Sequence, residues 1–307
     1  MKNGDMKTLN RAPEHVDRGY LTEKVDVYEF GLLLFELLSG QELMSFCWER
    51  EIHYHRYLRI EMLINALHNG IRNEGIDQFQ DFETLILKCT SFQEEERPTM
   101  IEVAKELRRI DKFALLLIYG GILLMPGTLS CPIVMFSISA EEIIAFCNDR
   151  SNPIRHFSAK ELLRAINNFD ARQIFVRKGR YTLYKGSLKD RPIFVKKYCY
   201  GDDPRFDFAF KDIAIGSQMS VHKNVLKVLG LETKIPPIVY EFAGTEILSP
   251  CISAADVQPL SWKCRLKIAI GIVDAVAYLH NAFSRPVIHR EIDCSNIILD
   301  QNNVPKL

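Results

Sequence analysis

Net charge is what this sequence lacks first: 39 Lys and Arg balance 39 Asp and Glu. That balance gives no reason to expect nucleic acid or an acidic surface as a partner. Its eight cysteines, scattered from Cys47 to Cys294, include no C-x-x-C pair. They read neither as a zinc site nor as a disulfide framework, but as reduced thiols. The opening residues, MKNGDMKTLNRAPE, hold no apolar run and do not read as a secretory signal. His53 and His55, at i and i+2, face apart on a helix; with His68 they stand among Glu and Arg as a solvated helix surface, not a metal site.

What the chain does have is apolar residues, 47% of the total, enough for a sizeable core in one large domain or two. Val27 to Leu38 is apolar almost all round and Gly40 is a natural stop, so a buried helix is expected there. Phe82, Leu85, Ile86 and Cys89 fall on one helical face. Thr99 and Glu102 form a capping box ahead of the stripe Met100, Val103, Ala104 and Leu107. Ser158 and Glu161 form a second. Strands are expected over residues 182–186, 192–197, 225–231 and 238–242, and a helix over 205–219. Ser261 caps a long helix, Trp262 to His280, with Leu266, Ala269, Ile270, Val273 and Ala277 at helical spacing.

Residues 113–140 are the odd segment, with no charged residue but with Gly120-Gly121, Pro126-Gly127 and Pro132 interrupting them. About 20 apolar residues suffice to span a bilayer. Three readings stand: a membrane span, a buried or membrane-surface linker, and a non-coding join between two neighbouring genes.

Val287 to Leu299, VIHREIDCSNIIL, organises the rest. It resembles the protein-kinase catalytic loop H-R-D-x-K-x-x-N. His289, Arg290 and Asn296 stand in matching places, with Glu291 at the base position and Asp293 at the Lys position. RAPEHVD and KVDVYEFG resemble the A-P-E motif and the following helix of plant receptor-like kinases. The resemblance implies that Glu14 pairs with Arg97, and that Asp26 orients the His289-Arg290 backbone. NPIRHFSAKELLRAINNFD, SVHKNVLKVLGLET and FSRPVIHREID carry a closer likeness to ZED-related pseudokinases, which are similar to wall-associated kinases. The implied fold is α+β and kinase-like: a helical large-lobe part at 1–110, a hydrophobic linker at 111–153, and at 154–307 a β-rich small lobe, hinge, first large-lobe helix and catalytic loop.

Within that likeness the chemistry is altered. A kinase glycine-rich loop lets backbone approach phosphates closely. Its glycine positions here are Val176, Lys178 and Tyr181, with Gly179 off register. Lys196 matches the strand lysine that holds the nucleotide phosphates. Its helix partner reads Asp212, one methylene shorter than Glu, which puts the ion pair in doubt. Glu291 keeps a carboxylate at the base position, but a displacement of about 1 Å can cost on the order of a hundredfold in rate. Asp293 reverses the charge of a Lys that neutralises the transferring phosphate. Asn296 keeps one magnesium position, while the chain stops at Leu307, where a D-F-G motif is expected. ATP and Mg are the cofactors implied, and the altered parts argue against their productive use.

The order, large-lobe tail before small lobe, fits either two truncated kinase genes joined end to end or one circularly permuted domain. In the second case Val27–Leu38 packs on Trp262–His280. The leading functional expectation is a kinase-like scaffold without transfer activity. By resemblance it is cytoplasmic or at the plasma membrane and partners an NLR-type immune receptor or a receptor kinase, as a decoy or adaptor for pathogen enzymes. The alternatives are an active Ser/Thr kinase and a non-functional fusion. Residues 113–140 offer a membrane contact.

Overall fold

A computed structural model of the chain describes residues 11–17, 21–50, 52, 60–68, 79–111, 154–198, 207–232, 237–253, 259–283 and 285–307. The segment 113–140 and His53 and His55 lie outside them. The chain divides into two compact units: one takes the N-terminal stretch together with residues 245–307, the other ends at Gly244.

The first unit begins with helices α1 (Pro13–Asp17), α2 (Lys24–Ser39), α3 (Leu43–Glu49), α4 (Ile60–His68), α5 (Phe79–Cys89) and α6 (Met100–Ile110). Every residue of α2 from Val25 to Leu38 is buried, as an all-round apolar helix requires. Gly40 ends it with φ +71°. That conformation favours glycine, and a Cβ there would also lie 2.8 Å from Arg265 Nη1. Thr99 and Glu102 make the reciprocal capping box of α6, and its stripe, Met100, Val103, Ala104 and Leu107, is buried.

The second unit carries β1 (Arg155–His156), α7 (Ala159–Ala165), β2 (Ile174–Arg177), β3 (Tyr181–Leu188), β4 (Arg191–Tyr198), α8 (Asp207–Met219), β5 (Val228–Leu231) and β6 (Ile238–Glu241). The strands form one sheet in the order β1-β5-β6-β4-β3-β2, antiparallel except for β1 on β5. The strand expected from Val225 starts only at Val228. Hydrogen bonds from His222 N to Met219 O and from Val225 N to His222 O carry 219–225 through tight turns, so Val225 has no ladder partner. The helix expected from residue 205 is described from Asp207.

Residues 245–307 return to the first unit with β7 (Glu246–Ile247), α9 (Leu248–Ser253), α10 (Trp262–Asn281), β8 (Ile298–Leu299) and β9 (Pro305–Lys306). The core of this unit is shared between the two stretches. Leu33, Leu37, Phe82 and Leu107 from the first belong to one apolar cluster with Leu266, Ala269, Val273 and Ile297 from the second. Phe82 and Trp262 meet edge to face with ring centroids 4.9 Å apart. Arg265 donates to Leu37 O at 3.1 Å, satisfying a carbonyl that the end of α2 leaves open, and Arg108 pairs with Asp274. The helices α2 and α10 therefore pack as expected.

Candidate functional site

The segment 285–293 has no helix or strand of its own, so its backbone N–H groups need acceptors from elsewhere. Carboxylates on α2 supply them. Asp26, fully buried, accepts from the N–H of His289 and of Arg290, both at 2.8 Å, and from His280 Nε2 at 2.7 Å. Arg290 takes φ +70°, an uncommon backbone for a non-glycine residue, held by that pair of bonds. Glu29 accepts the Ile292 N–H at 2.9 Å. Glu36 accepts the Leu43 N–H at 2.9 Å and the Cys294 thiol. Burial pushes the Glu29 carboxyl up to about 8, aided by the Asp26 charge beside it, and Glu36 up to about 7. Glu14 and Arg97 form the expected bidentate pair at 2.6 and 2.8 Å, Arg97 being 1% exposed.

Along the loop, Glu291 is exposed. Asp293 accepts the Ser295 N–H at 2.7 Å and the Ser295 hydroxyl, capping the turn Cys294–Asn296. Its charge is engaged within its own loop. Asn296 donates from Nδ2 to Glu291 O at 3.0 Å, while its buried Oδ1 has no hydrogen-bond partner. An orphaned buried acceptor at this place fits a cation ligand.

The remaining candidates lie in the second unit. Lys196 on β4 and Asp212 on α8 form an ion pair at 2.5 Å. The ion pair put in doubt by the shorter Asp is therefore present, and this corrects the expectation. Asp212 Oδ2 also accepts the Tyr198 hydroxyl. Tyr181 and Tyr198 are opposite one another across β3 and β4. A period of two places both tyrosines and Lys196 on one face. The Lys196 ammonium lies 4.3 Å from the centroid of the Tyr181 ring and 5.2 Å from that of Tyr198. Its side chain is 18% exposed. Burial, with Tyr240 and Asp212 nearby, raises the Tyr198 phenol far above its usual range.

The β2–β3 hairpin is closed by Lys178 N–H donating to Tyr181 O at 2.9 Å. A Cβ added at Gly179 would meet no protein atom within 4 Å. Val176, paired with Leu183, belongs to the ladder. The residues present do not fit a phosphate cradle: where glycine is expected, Tyr181 sets its ring over the Lys196 ammonium.

Three of these groups, Tyr198, Glu29 and Glu36, escaped the sequence reading. Tyr198 stands two residues after Lys196 on the same strand face, a spacing that marks it as a neighbour once β4 is assigned. Glu29 stands three residues after Asp26, and Glu36 seven residues further on, in a helix otherwise mostly apolar.

The kinase family model for protein tyrosine and serine/threonine kinases matches residues 2–107 and 174–307. The chain belongs to the protein kinase family. It is 39% identical over 172 residues to the "Non-functional pseudokinase ZED1" of Arabidopsis thaliana, covering 55% of this chain and 52% of that protein. It is 43% identical over 171 residues to "Serine/threonine-protein kinase ZRK7" of the same plant, covering 54% and 62%. A third relative there, "Putative wall-associated receptor kinase-like 16", is 38% identical over 155 residues, covering 49% and 36%. The chain spans about half the length of the first two and a smaller share of the third.

Proposed function

We propose that the chain is a kinase-like scaffold that does not transfer phosphate efficiently and works through protein contacts. The observation that carries this reading is the tyrosine enclosure of Lys196. Its ammonium is overlain by the Tyr181 ring, on a hairpin that lacks glycine at the positions where a phosphate needs close backbone approach. Asp293, engaged as a turn cap where a Lys is expected, adds no positive charge for a transferring group. Several relatives carry the name "Non-functional pseudokinase". By family resemblance the partner class is an NLR-type immune receptor or a receptor kinase, in the cytoplasm or at the plasma membrane. The core shared by residues 11–111 and 245–307 supports one circularly permuted domain over two unrelated fragments.

The test is transfer of labelled phosphate from ATP to a generic Ser/Thr substrate. No transfer above a Lys196→Ala control is expected. Transfer that disappears in Lys196→Ala overturns the reading. Active Ser/Thr kinase is kept as the second reading on one observation, the intact Lys196–Asp212 pair, and relatives named as serine/threonine kinases agree with it. It requires Glu291 to act as base and Asn296 Oδ1 to bind metal.

A further inference from the structure

The zero net charge hides an uneven distribution. Between residues 154 and 198, twelve Lys and Arg stand against three Asp and Glu. Two of the three acids are already engaged: Glu161 pairs with Arg155 at 3.0 Å and Asp170 with Arg172 at 2.6 Å.

Part of the excess gathers on one side of the second unit's sheet. On β4, Ile193, Val195 and Lys197 share the side that carries Tyr184 and Gly186 of β3. α7 lies across that side. Leu162 and the following Ile166 bury against Phe157, Tyr184, Ile193 and Val195, and a Cβ on Gly186 would come within 2.9 Å of Ala165 O. With its apolar residues turned inward, α7 leaves Lys160 and Arg164 exposed, neither in an ion pair among the described residues. Lys189, in the β3–β4 turn, is exposed and its charge acts on Glu161 of α7. Lys197 sits 3.9 Å over the Phe169 ring, just past the end of α7. Arg155 sits 4.7 Å over the Phe157 ring at its start. Five cations thus ring one short helix.

We propose that this face, α7 with the β3–β4 turn, is a docking surface for an anionic lipid bilayer. A protein interface is built around buried aromatic or aliphatic anchors with charge depleted at its centre. Here cations outnumber the acids, Glu161 and the exposed Asp190, and among the described residues of this unit the exposed large apolar side chain, Val221, stands on another segment. A mainly cationic face without an anchor suits the diffuse charge of lipid headgroups. The sequence supplies a second signal. Residues 113–140, ahead of β1 in the sequence, hold no charged residue, and stable membrane attachment takes an apolar element together with a polybasic one. The proposal is independent of whether the chain transfers phosphate.

The test is co-sedimentation of the full chain with vesicles of phosphatidylcholine alone or with added phosphatidylserine, at low and high salt. The expected result is a preference for the phosphatidylserine vesicles that weakens with salt. Substituting Lys160→Gln, Arg164→Gln and Lys189→Gln together should lower that binding by about a hundredfold, roughly fivefold per cation. Lys211→Gln with Lys223→Gln, off this face, should leave it unchanged. All these side chains are exposed, and unchanged thermal unfolding of both variants shows that they fold. Attachment through the apolar segment alone is indifferent to headgroup charge. Equal binding to both vesicle types, an unaltered triple variant, or no vesicle binding at all overturns the proposal, the last leaving an acidic protein as the ligand for this face.

Discussion

Glu29 keeps its proton at pH 7 because it lies buried next to the charged Asp26, yet it still accepts the Ile292 N–H. Its folded pKa, about 8, is above the ordinary 4.5, as is that of Glu36, about 7. The fold therefore binds more protons than the unfolded chain between those values. Stability from these groups is full below pH 4.5 and is lost as pH rises through 7 and then 8. Thermal unfolding should fall across that window, and Glu29→Gln, which keeps an acceptor without titrating, should flatten the fall. An unchanged slope in the variant contradicts the assignment. At the start of α2, where Arg97 also donates to Lys24 O, Arg97→Ala leaves Glu14 buried without its partner and should cost about 3–5 kcal/mol in denaturant unfolding. Both Glu14–Arg97 and the Asp26 contacts were legible in the sequence because each sits in a motif of fixed spacing. The Lys196–Asp212 pair was misjudged because chain length of a side chain says nothing of how far the helix stands from the strand. Here Asp212 comes close enough for Lys196 and Tyr198 to share one oxygen.

Among the elements, close backbone approach sets the sharpest limits. A Cβ on Gly31 would lie 2.6 Å from Thr90 Cγ2 and 2.8 Å from Cys89 Cβ, where α2 meets the end of α5. Gly31→Ala should destabilise the chain by about 1–3 kcal/mol, as overpacking does, read as a lowered denaturant midpoint; a neutral result means the two helices separate freely. On β5, a Cβ at Gly230 would lie 1.9 Å from Arg155 O, so β1 docks only because this residue is glycine. The capped helices were legible because Ser158, Thr99 and Ser261 announce their first turns in a few residues. The start of strand β5 was not: Val225 stands beside Leu226 as if in the strand, and only the turn bonds through His222 exclude it from the ladder.

At the scale of the whole molecule, the first unit takes its core from two stretches far apart in sequence, joined by Arg265 on Leu37, Arg108 on Asp274 and Asp26 beneath the 289–290 backbone. Residues 1–111 and 154–307 produced as separate chains should therefore co-purify; failure to do so contradicts a shared body. The kinase likeness of each stretch was readable from motifs, and so was the α2–α10 packing, since each helix carries apolar surface that the other must cover. The basic face around α7 was hidden, because a whole-chain charge of zero averages a cationic stretch against the acids elsewhere. The tyrosine enclosure was hidden too, because it needs the β3–β4 register that brings Tyr181 opposite Tyr198. That enclosure is the centre of the functional account, and the thermal unfolding of the full chain with millimolar MgATP tests it most directly. No rise in Tm is predicted. A ligand at about a hundred times its Kd stabilises by about 2.7 kcal/mol, so a rise of several degrees, abolished by Lys196→Ala, would mean that the site holds nucleotide after all.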